Sequence, residues 1–356
     1  MKWIRPLLHV LAYPYGCVIR IRNLLYDRGW KRQDTLPCRV ISVGNLTVGR
    51  TGKTPVIIWL AEQLQSQGFR LGVLSRGYRR RGRTPQLLVS DGRAILADPL
   101  EAGDEPHLIA RRCPGAVVAV GADRYRLGRW VLDRFALDYL LLDDGFQHRS
   151  LSRDVDLVLV DASDQSGLRA LLPVGRLREP LSSLRRASAV LITRVEEDAD
   201  VHRIRALLRE HGTDRLDAIP LRFDAEALIH VAKGNKQALD AAAGRPALIF
   251  SGIGNAGSFR RLLARHGIRI EDEIVFSDHH AYAHADLESV RMRTRRCGAE
   301  LMITTEKDAV KIAAFIRPEE PMWAARLRTD IIEGRERLER LVMGGWGGKR
   351  GSGIWR

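Results

Sequence analysis

The chain has 356 residues, 45% of them hydrophobic, and a formal net charge of +15. This length allows two domains of ordinary size, and the apolar fraction excludes wholesale disorder. The four cysteines (Cys17, Cys38, Cys113, Cys297) form no Cys-x-x-Cys pair and stand near no His cluster, which argues against a zinc site or disulfide framework and for reduced thiols. The charge calls for a polyanionic partner, whether nucleic acid, an anionic membrane or a phosphorylated substrate.

Residues 1–30 read as an apolar, membrane-associated segment. The charge-free run Pro6–Ile19 is shorter than the ~20 residues of a bilayer-crossing helix. Pro14 and Gly16 are expected to break it, and no signal-peptide cleavage site follows. Arg20, Arg22, Arg28, Lys31 and Arg32 come next, and apolar residues beside such a cluster suit a segment lying on an anionic leaflet. The competing reading is a helix packed on the protein's own core.

Residues 31–222 alternate short apolar runs with helical patterns. Arg39–Val43 predicts a strand, followed by a Gly-rich loop, a helix from about Pro55 to Gln67, and a strand at Arg70–Leu74. Ala116–Gly121, Tyr139–Asp143, Val155–Asp161 and Ala189–Thr193 read as further strands. Such alternation predicts an α/β fold: a P-loop NTPase-like, mostly parallel sheet with helices on both faces.

The loop after the first strand carries the strongest local signal, Gly-Arg-Thr-Gly-Lys-Thr-Pro over 49–55. Backbone N–H groups of Gly49, Arg50, Thr51 and Gly52, with the helix N-terminus behind them, suit a phosphate cradle. Lys53 would reach the β- and γ-phosphates of ATP, and the Thr54 hydroxyl would ligate Mg²⁺. Pro55 suits a first helical turn. The usual pattern has a first Gly where this chain has Thr47. A second signal is Leu-Leu-Leu-Asp-Asp-Gly-Phe-Gln-His over 140–148, an apolar strand ending in Asp143 and Asp144, which suits a magnesium site at the carboxyl edge of a sheet.

From 223 to 312 the pattern restarts as a second, smaller α/β domain. Strands are expected at Ala247–Ser251, Glu273–Phe276 and Leu301–Thr304, and helices at Ala256–His266 and Ala285–Arg296. The boundary falls between about Leu221 and Gly244. A strand and a helix (Glu333–Val342) are expected over 313–342, and a Gly-rich, basic tail over 343–356 is expected to be disordered.

These motifs stand with Leu-Ser-Arg-Gly-Tyr (74–78), Gly-Asp-Glu-Pro (103–106), Gly-Ala-Asp-Arg (121–124), Leu-Pro-Val-Gly-Arg-Leu-Arg-Glu-Pro (172–180), Gly-Ile-Gly-Asn (252–255), Phe-Ser-Asp-His-His (276–280) and Thr-Thr-Glu-Lys-Asp-Ala-Val-Lys (304–311). In this order, and from the N-terminal segment to about Lys311, they resemble the tetraacyldisaccharide 4'-kinase family. The resemblance implies transfer of the ATP γ-phosphate to the 4'-hydroxyl of a tetraacylated glucosamine disaccharide 1-phosphate, with Mg²⁺, at the cytoplasmic face of the bacterial inner membrane. It also implies two α/β domains joined by a hinge, with nucleotide in the cleft between them.

Carried onto this chain, it makes Asp104 the catalytic base, with Glu105 beside it and His279 its partner from the second domain. Thr54, Asp143, Asp144 and Glu105 become metal-side residues, and Arg124, Gln147, His148 and Arg178 line the cleft. Arg176 departs from the Pro often found before Leu-Arg-Glu, which touches only local loop shape. Arg76, Arg124 and Arg178 are candidates for stabilising phosphate charge, though each suits a surface ion pair equally. The expected partners are the anionic glycolipid and a membrane surface, with no nucleic acid, and the protein is expected to be a monomer. The alternatives are another P-loop small-molecule kinase, against which the apolar N-terminus counts, and a nucleic-acid-binding ATPase, for which no recognition motif appears.

Overall fold

The structure is a computed structural model that describes residues 4–344 except Arg50, Arg79, Arg83, Gln165 and Asp214, with backbone alone for residues 4–9 and Ser166. Arg50 of the phosphate loop and the tail from 345 onward lie outside the described residues.

The first half of the chain supplies β1 (Arg39–Asn45), β2 (Leu71–Ser75), β3 (Gln86–Asp91), β4 (Val117–Gly121), β5 (Tyr139–Asp143), β6 (Val155–Asp161), β7 (Ala189–Thr193) and β8 (Asp217–His230). The second half supplies β9 (Lys236–Gln237), β10 (Pro246–Ser251), β11 (Arg269–Val275), β12 (Leu301–Thr305) and β13 (Met322–Ile331). They form one sheet in the order β11-β10-β12-β13-β8-β7-β6-β1-β5-β2-β4-β3, with β9 beside β8. Pairing is parallel except for β3 on β4, β13 on β8, and β9 on β8. The parallel strands are buried along nearly their whole length, as their unbroken Val, Ile and Leu runs require.

The expected boundary region is itself a strand. The start of β8 pairs in parallel with β7, and from Leu221 onward it pairs antiparallel with β13, so one 14-residue strand links the halves. Each half keeps its own apolar cores, and the C-terminal helix Arg335–Met343 returns to the first half through Leu338 and Val342.

The N-terminal segment corrects an expectation. It is one helix, α1, over Ile4–Asp27, running through Pro14 and Gly16. Proline removes one backbone donor and crowds the preceding turn, but tertiary contacts outweigh that cost. Gly16 is buried, a Cβ there would come 3.0 Å from Leu171, Tyr15 donates to the Arg178 carbonyl (2.9 Å), and Asn23 donates to Glu179 (2.8 Å). On the opposite face Val10, Tyr13, Val18 and Ile21 are each more than half exposed. No helix among the described residues is long and apolar enough to cross a membrane.

Candidate active site

The phosphate loop leaves the carboxyl end of β1 and enters α2 (Lys53–Ser66) at Gly52. Gly52 has φ 87° and ψ 30°, and a Cβ there would lie 2.3 Å from the Phe223 ring of β8, so both conformation and space demand glycine. Thr47 forms an extended bridge to Leu177, where no positive φ is needed, which explains the missing first glycine. Arg176 closes over the loop: its carbonyl accepts from Val48 N (2.7 Å), its Nε donates to Val48 O (2.9 Å), and it pairs with Asp164 (2.7 Å).

Lys53 Nζ stands 3.3 Å from Asn45 Oδ1 and 3.4 Å from Asp144 Oδ1. The Thr51 hydroxyl is buried with no hydrogen-bond partner among the described residues, an exception among buried polar groups that a ligand at the loop would remove.

At the end of β5, Asp143 accepts from Ser75 Oγ (2.7 Å). Burial, with Glu105 nearby, pushes its carboxyl up to about 6. Asp144 has φ 56°, accepts from Arg178 (2.9 Å), and is held down to about 2: burial opposes ionisation, but Lys53 and Arg178 override it. Arg178 also donates to Gln147 Oε1 (3.3 Å), and Gln147 donates to the Asn45 carbonyl (3.0 Å).

The opposite wall starts from Gly103, which caps the helix Asp104–Arg112 and puts Asp104 and Glu105 in its first turn, where the helix dipole favours carboxylates. From the second half, His279 (φ 58°) brings Nδ1 within 3.3 Å of Asp104 Oδ2. On the helix Glu306–Ile312, Lys307 Nζ lies 2.6 Å from Glu105 Oε1 and 3.4 Å from His279 Nε2. An ammonium only donates, so Nε2 accepts, and the ring proton sits on Nδ1 facing Asp104. Lys311, one turn further, lies 3.7 Å from Asp104 and 2.8 Å from Asp308. Burial works against the charged form of Asp104, yet the His279 hydrogen bond, Lys311 and Lys307 keep its carboxyl below the usual range.

Lys53, Thr54, Arg76, Glu105, Asp143, Asp144, Gln147, Arg178 and His279 thus face one cleft of about 1290 Å³ between the halves. Asp104 joins them through His279. Two expected residues stand elsewhere. Arg124 is 1% exposed, and its guanidinium donates to the carbonyls of Gly121 and Asp143 (3.3 Å to the latter), tying β4 to β5 behind the cleft. His148 is kept neutral by burial and by the Arg124 charge, which lower it to about 4. Ser75, Asn45, Lys307 and Lys311 were not singled out from the sequence. The two lysines fall at i and i+4 in the 304–311 motif, a spacing that puts both on one helix face.

The cleft is also tied to α1. Glu179, fully buried, accepts from Arg22 (3.1 Å), Asn23 (2.8 Å) and Arg186 (3.0 Å), next to Arg178 in the chain. Glu179→Ala is expected to cost roughly 3–5 kcal/mol, because two arginines would then face each other without their counter-charge. Chemical denaturation measures this, and a variant as stable as the parent would mean that α1 is held by other contacts.

A phosphate loop on a parallel sheet, faced by paired carboxylates and a carboxylate–imidazole pair, defines a P-loop phosphotransferase. Comparison with known proteins narrows the class. The sequence pattern of tetraacyldisaccharide-1-P 4'-kinases matches residues 4–344, and the chain belongs to that family. It is 43% identical over 316 residues to the tetraacyldisaccharide 4'-kinase of Syntrophus aciditrophicus (86% of this chain, 84% of the relative). It is 37% identical over 338 residues to that of Anaeromyxobacter dehalogenans (94% and 88%). Its fold is similar to the crystal structure of LpxK from Aquifex aeolicus in complex with ATP, with a TM-score of 0.79 at 32% identity, over 96% of this chain and 98% of the other.

Proposed function

We propose that this protein transfers the γ-phosphate of ATP to the 4'-hydroxyl of a tetraacylated glucosamine disaccharide 1-phosphate, a step of lipid A biosynthesis, as a monomer at the cytoplasmic face of the bacterial inner membrane. The observation that carries this reading is the convergence of Lys53 and Thr54 with the Asp104–His279 pair on one cleft.

In this reading the loop from Gly49 to Gly52 cradles the phosphates, with the Thr51 hydroxyl as a further contact. Lys53 draws charge from the transferring phosphoryl group, and Arg178 fixes Asp144 while presenting its second edge to the cleft. Asp104 accepts the 4'-hydroxyl proton, and the Nδ1–H of His279 orients it. Lys307 sets the His279 tautomer, while Arg124 acts from behind by fixing the strand ends.

The oxygen donors of Thr54, Asp143 and Asp144 fit Mg²⁺. Among the described residues Asp144 Oδ1 accepts no short hydrogen bond, and no group of three His, Cys, Asp or Glu is arranged to hold a metal ion by itself. An ion with few protein ligands and the rest from phosphates and water is what magnesium prefers. Bound there, Mg²⁺ would neutralise charge on the β- and γ-phosphates. Glu105 is engaged by Lys307, so a role at the metal would require it to exchange that partner.

The acyl chains have apolar walls to meet, in Ile19 of α1 and in Ile253, Phe259 and Leu262 of the second half. The outer face of α1 supports seating at the membrane. Val18→Asp with Ile21→Asp is expected to weaken binding to anionic vesicles at least tenfold, as each change removes about 1.5–3 kcal/mol of apolar burial. Flotation assays measure it, and unchanged binding would refute the seating. The activity itself is tested by incubating the protein with γ-labelled ATP, Mg²⁺ and detergent-dispersed disaccharide 1-phosphate. Label in a bisphosphorylated lipid supports the reading, and label only in inorganic phosphate contradicts it.

A further inference from the structure

We infer that a second groove, flanking α1 on the side away from the catalytic cleft, is a binding site for an anionic glycerophospholipid, with its phosphate on Arg20 and Arg169 and its acyl chain on a floor of leucines. This rests on the reading that α1 seats on a membrane.

The groove has a volume of about 530 Å³ and runs between α1, the segment Leu168–Leu181 and the helix Asp198–Glu210. Leu168, Leu171, Leu177 and Leu181 floor it, and Ile204 and Leu207 form the far wall. Its basic side chains are Arg20, Arg169, Arg203 and His211, and no acidic side chain among the described residues lines it. Arg203 is paired with Asp200. Arg20 and Arg169 are exposed and make no ion pair among the described residues, so the rim carries uncompensated positive charge over an apolar floor. A free phosphate would use that rim and leave the leucines bare, whereas a neutral lipid would use the floor alone. An anionic phospholipid satisfies both.

Position agrees with chemistry. Tyr13, Arg20 and Leu24 stand at i, i+7 and i+11, one stripe of α1, with Tyr13 75% and Leu24 44% exposed. A helix lying on the bilayer along that stripe opens the groove to the lipid phase. The catalytic cleft uses the other flank, through Tyr15, Ile19 and Arg22. The floor is also continuous with the active site, because Leu177 and Leu181 bracket Arg178, whose guanidinium holds Asp144. A lipid on this floor steadies that segment, so it raises turnover.

The test uses the full chain, a short-chain phosphatidylglycerol below its micelle concentration, and the variant Arg20→Glu with Arg169→Glu, its fold checked by thermal melting. Calorimetry is expected to show saturable binding that falls at least tenfold in the variant. Phosphatidylcholine of the same chain length and glycerol 3-phosphate should each bind at least tenfold more weakly. Turnover on detergent-dispersed substrate should match the parent without added lipid, and only the parent should be stimulated by phosphatidylglycerol. If the reversal lowers the melting temperature, Arg20→Gln with Arg169→Gln takes its place.

Equal binding by the variant, equal binding of phosphatidylcholine, or equal binding of glycerol 3-phosphate would overturn the site. So would displacement of phosphatidylglycerol by the disaccharide 1-phosphate, which would make the groove a substrate site. Specific lipid binding in a protein that fails to phosphorylate the disaccharide would sink the proposed activity and leave the groove standing.

Discussion

Replacing Lys53 by Ala is expected to lower phosphoryl transfer by roughly 10³-fold or more, about 4 kcal/mol of transition-state stabilisation, with the fold intact. The ammonium sits at the start of α2, between Asn45 and Asp144, on the wall where the phosphate loop opens. It lies where charge on the transferring group would build up. Its removal also leaves Asp144 with Arg178 as its remaining ion-pair partner among the described residues, so the geometry around the metal site should loosen too. Single-turnover rates with circular dichroism as the control measure the effect. A folded variant turning over near the parental rate would remove the nucleotide assignment.

Asp104→Ala is expected to cost about 10²–10⁴-fold in turnover, the range of a lost general base. His279→Ala should cost less, because it orients the base rather than taking the proton. The pair spans the two halves of the chain, and β8 with its partner β13 is the connection between them. We propose that closure of the cleft around ATP and lipid shortens the 3.3 Å contact and excludes water. Residues acting as one unit give non-additive losses, so the double variant should be scarcely slower than Asp104→Ala alone. Strict additivity at saturating ATP and lipid would mean that the two side chains act independently.

What the sequence made legible was local. The strand, loop and helix around Lys53 announce themselves because glycine, lysine and proline each meet a backbone or charge requirement within a few residues. The apolar run ending in Asp143 and Asp144 is legible for the same reason, and in both places the strands lie close to where the pattern puts them. Long-range contacts were not legible from residues alone. Asp104 and His279 lie 175 positions apart, and only the family resemblance suggested pairing them.

The roles of Lys307 and Lys311 are not legible in their motif, because their partners sit on the helix Asp104–Arg112 and on the loop carrying His279. Arg124 is expected in the cleft, and nothing in Gly-Ala-Asp-Arg says that its guanidinium turns inward to backbone carbonyls. The same limit explains α1: helix rules place a break at Pro14, and the contacts that hold the helix together come from Arg149 and from residues 171–183. The domain boundary is legible only to within about Leu221–Gly244, because β8 changes partners midway and an unbroken strand that serves two halves leaves no compositional mark.

The measurement that bears most directly on the central claim is the position of the transferred phosphate. The protein, ATP, Mg²⁺ and the tetraacylated disaccharide 1-phosphate are incubated in detergent, and the product is examined by mass spectrometry and phosphorus NMR. The account predicts one added phosphate monoester on the 4' oxygen, and no transfer to the 4'-deoxy analogue. Phosphate at a different hydroxyl, or ATP turnover that leaves the lipid unmodified, would contradict it.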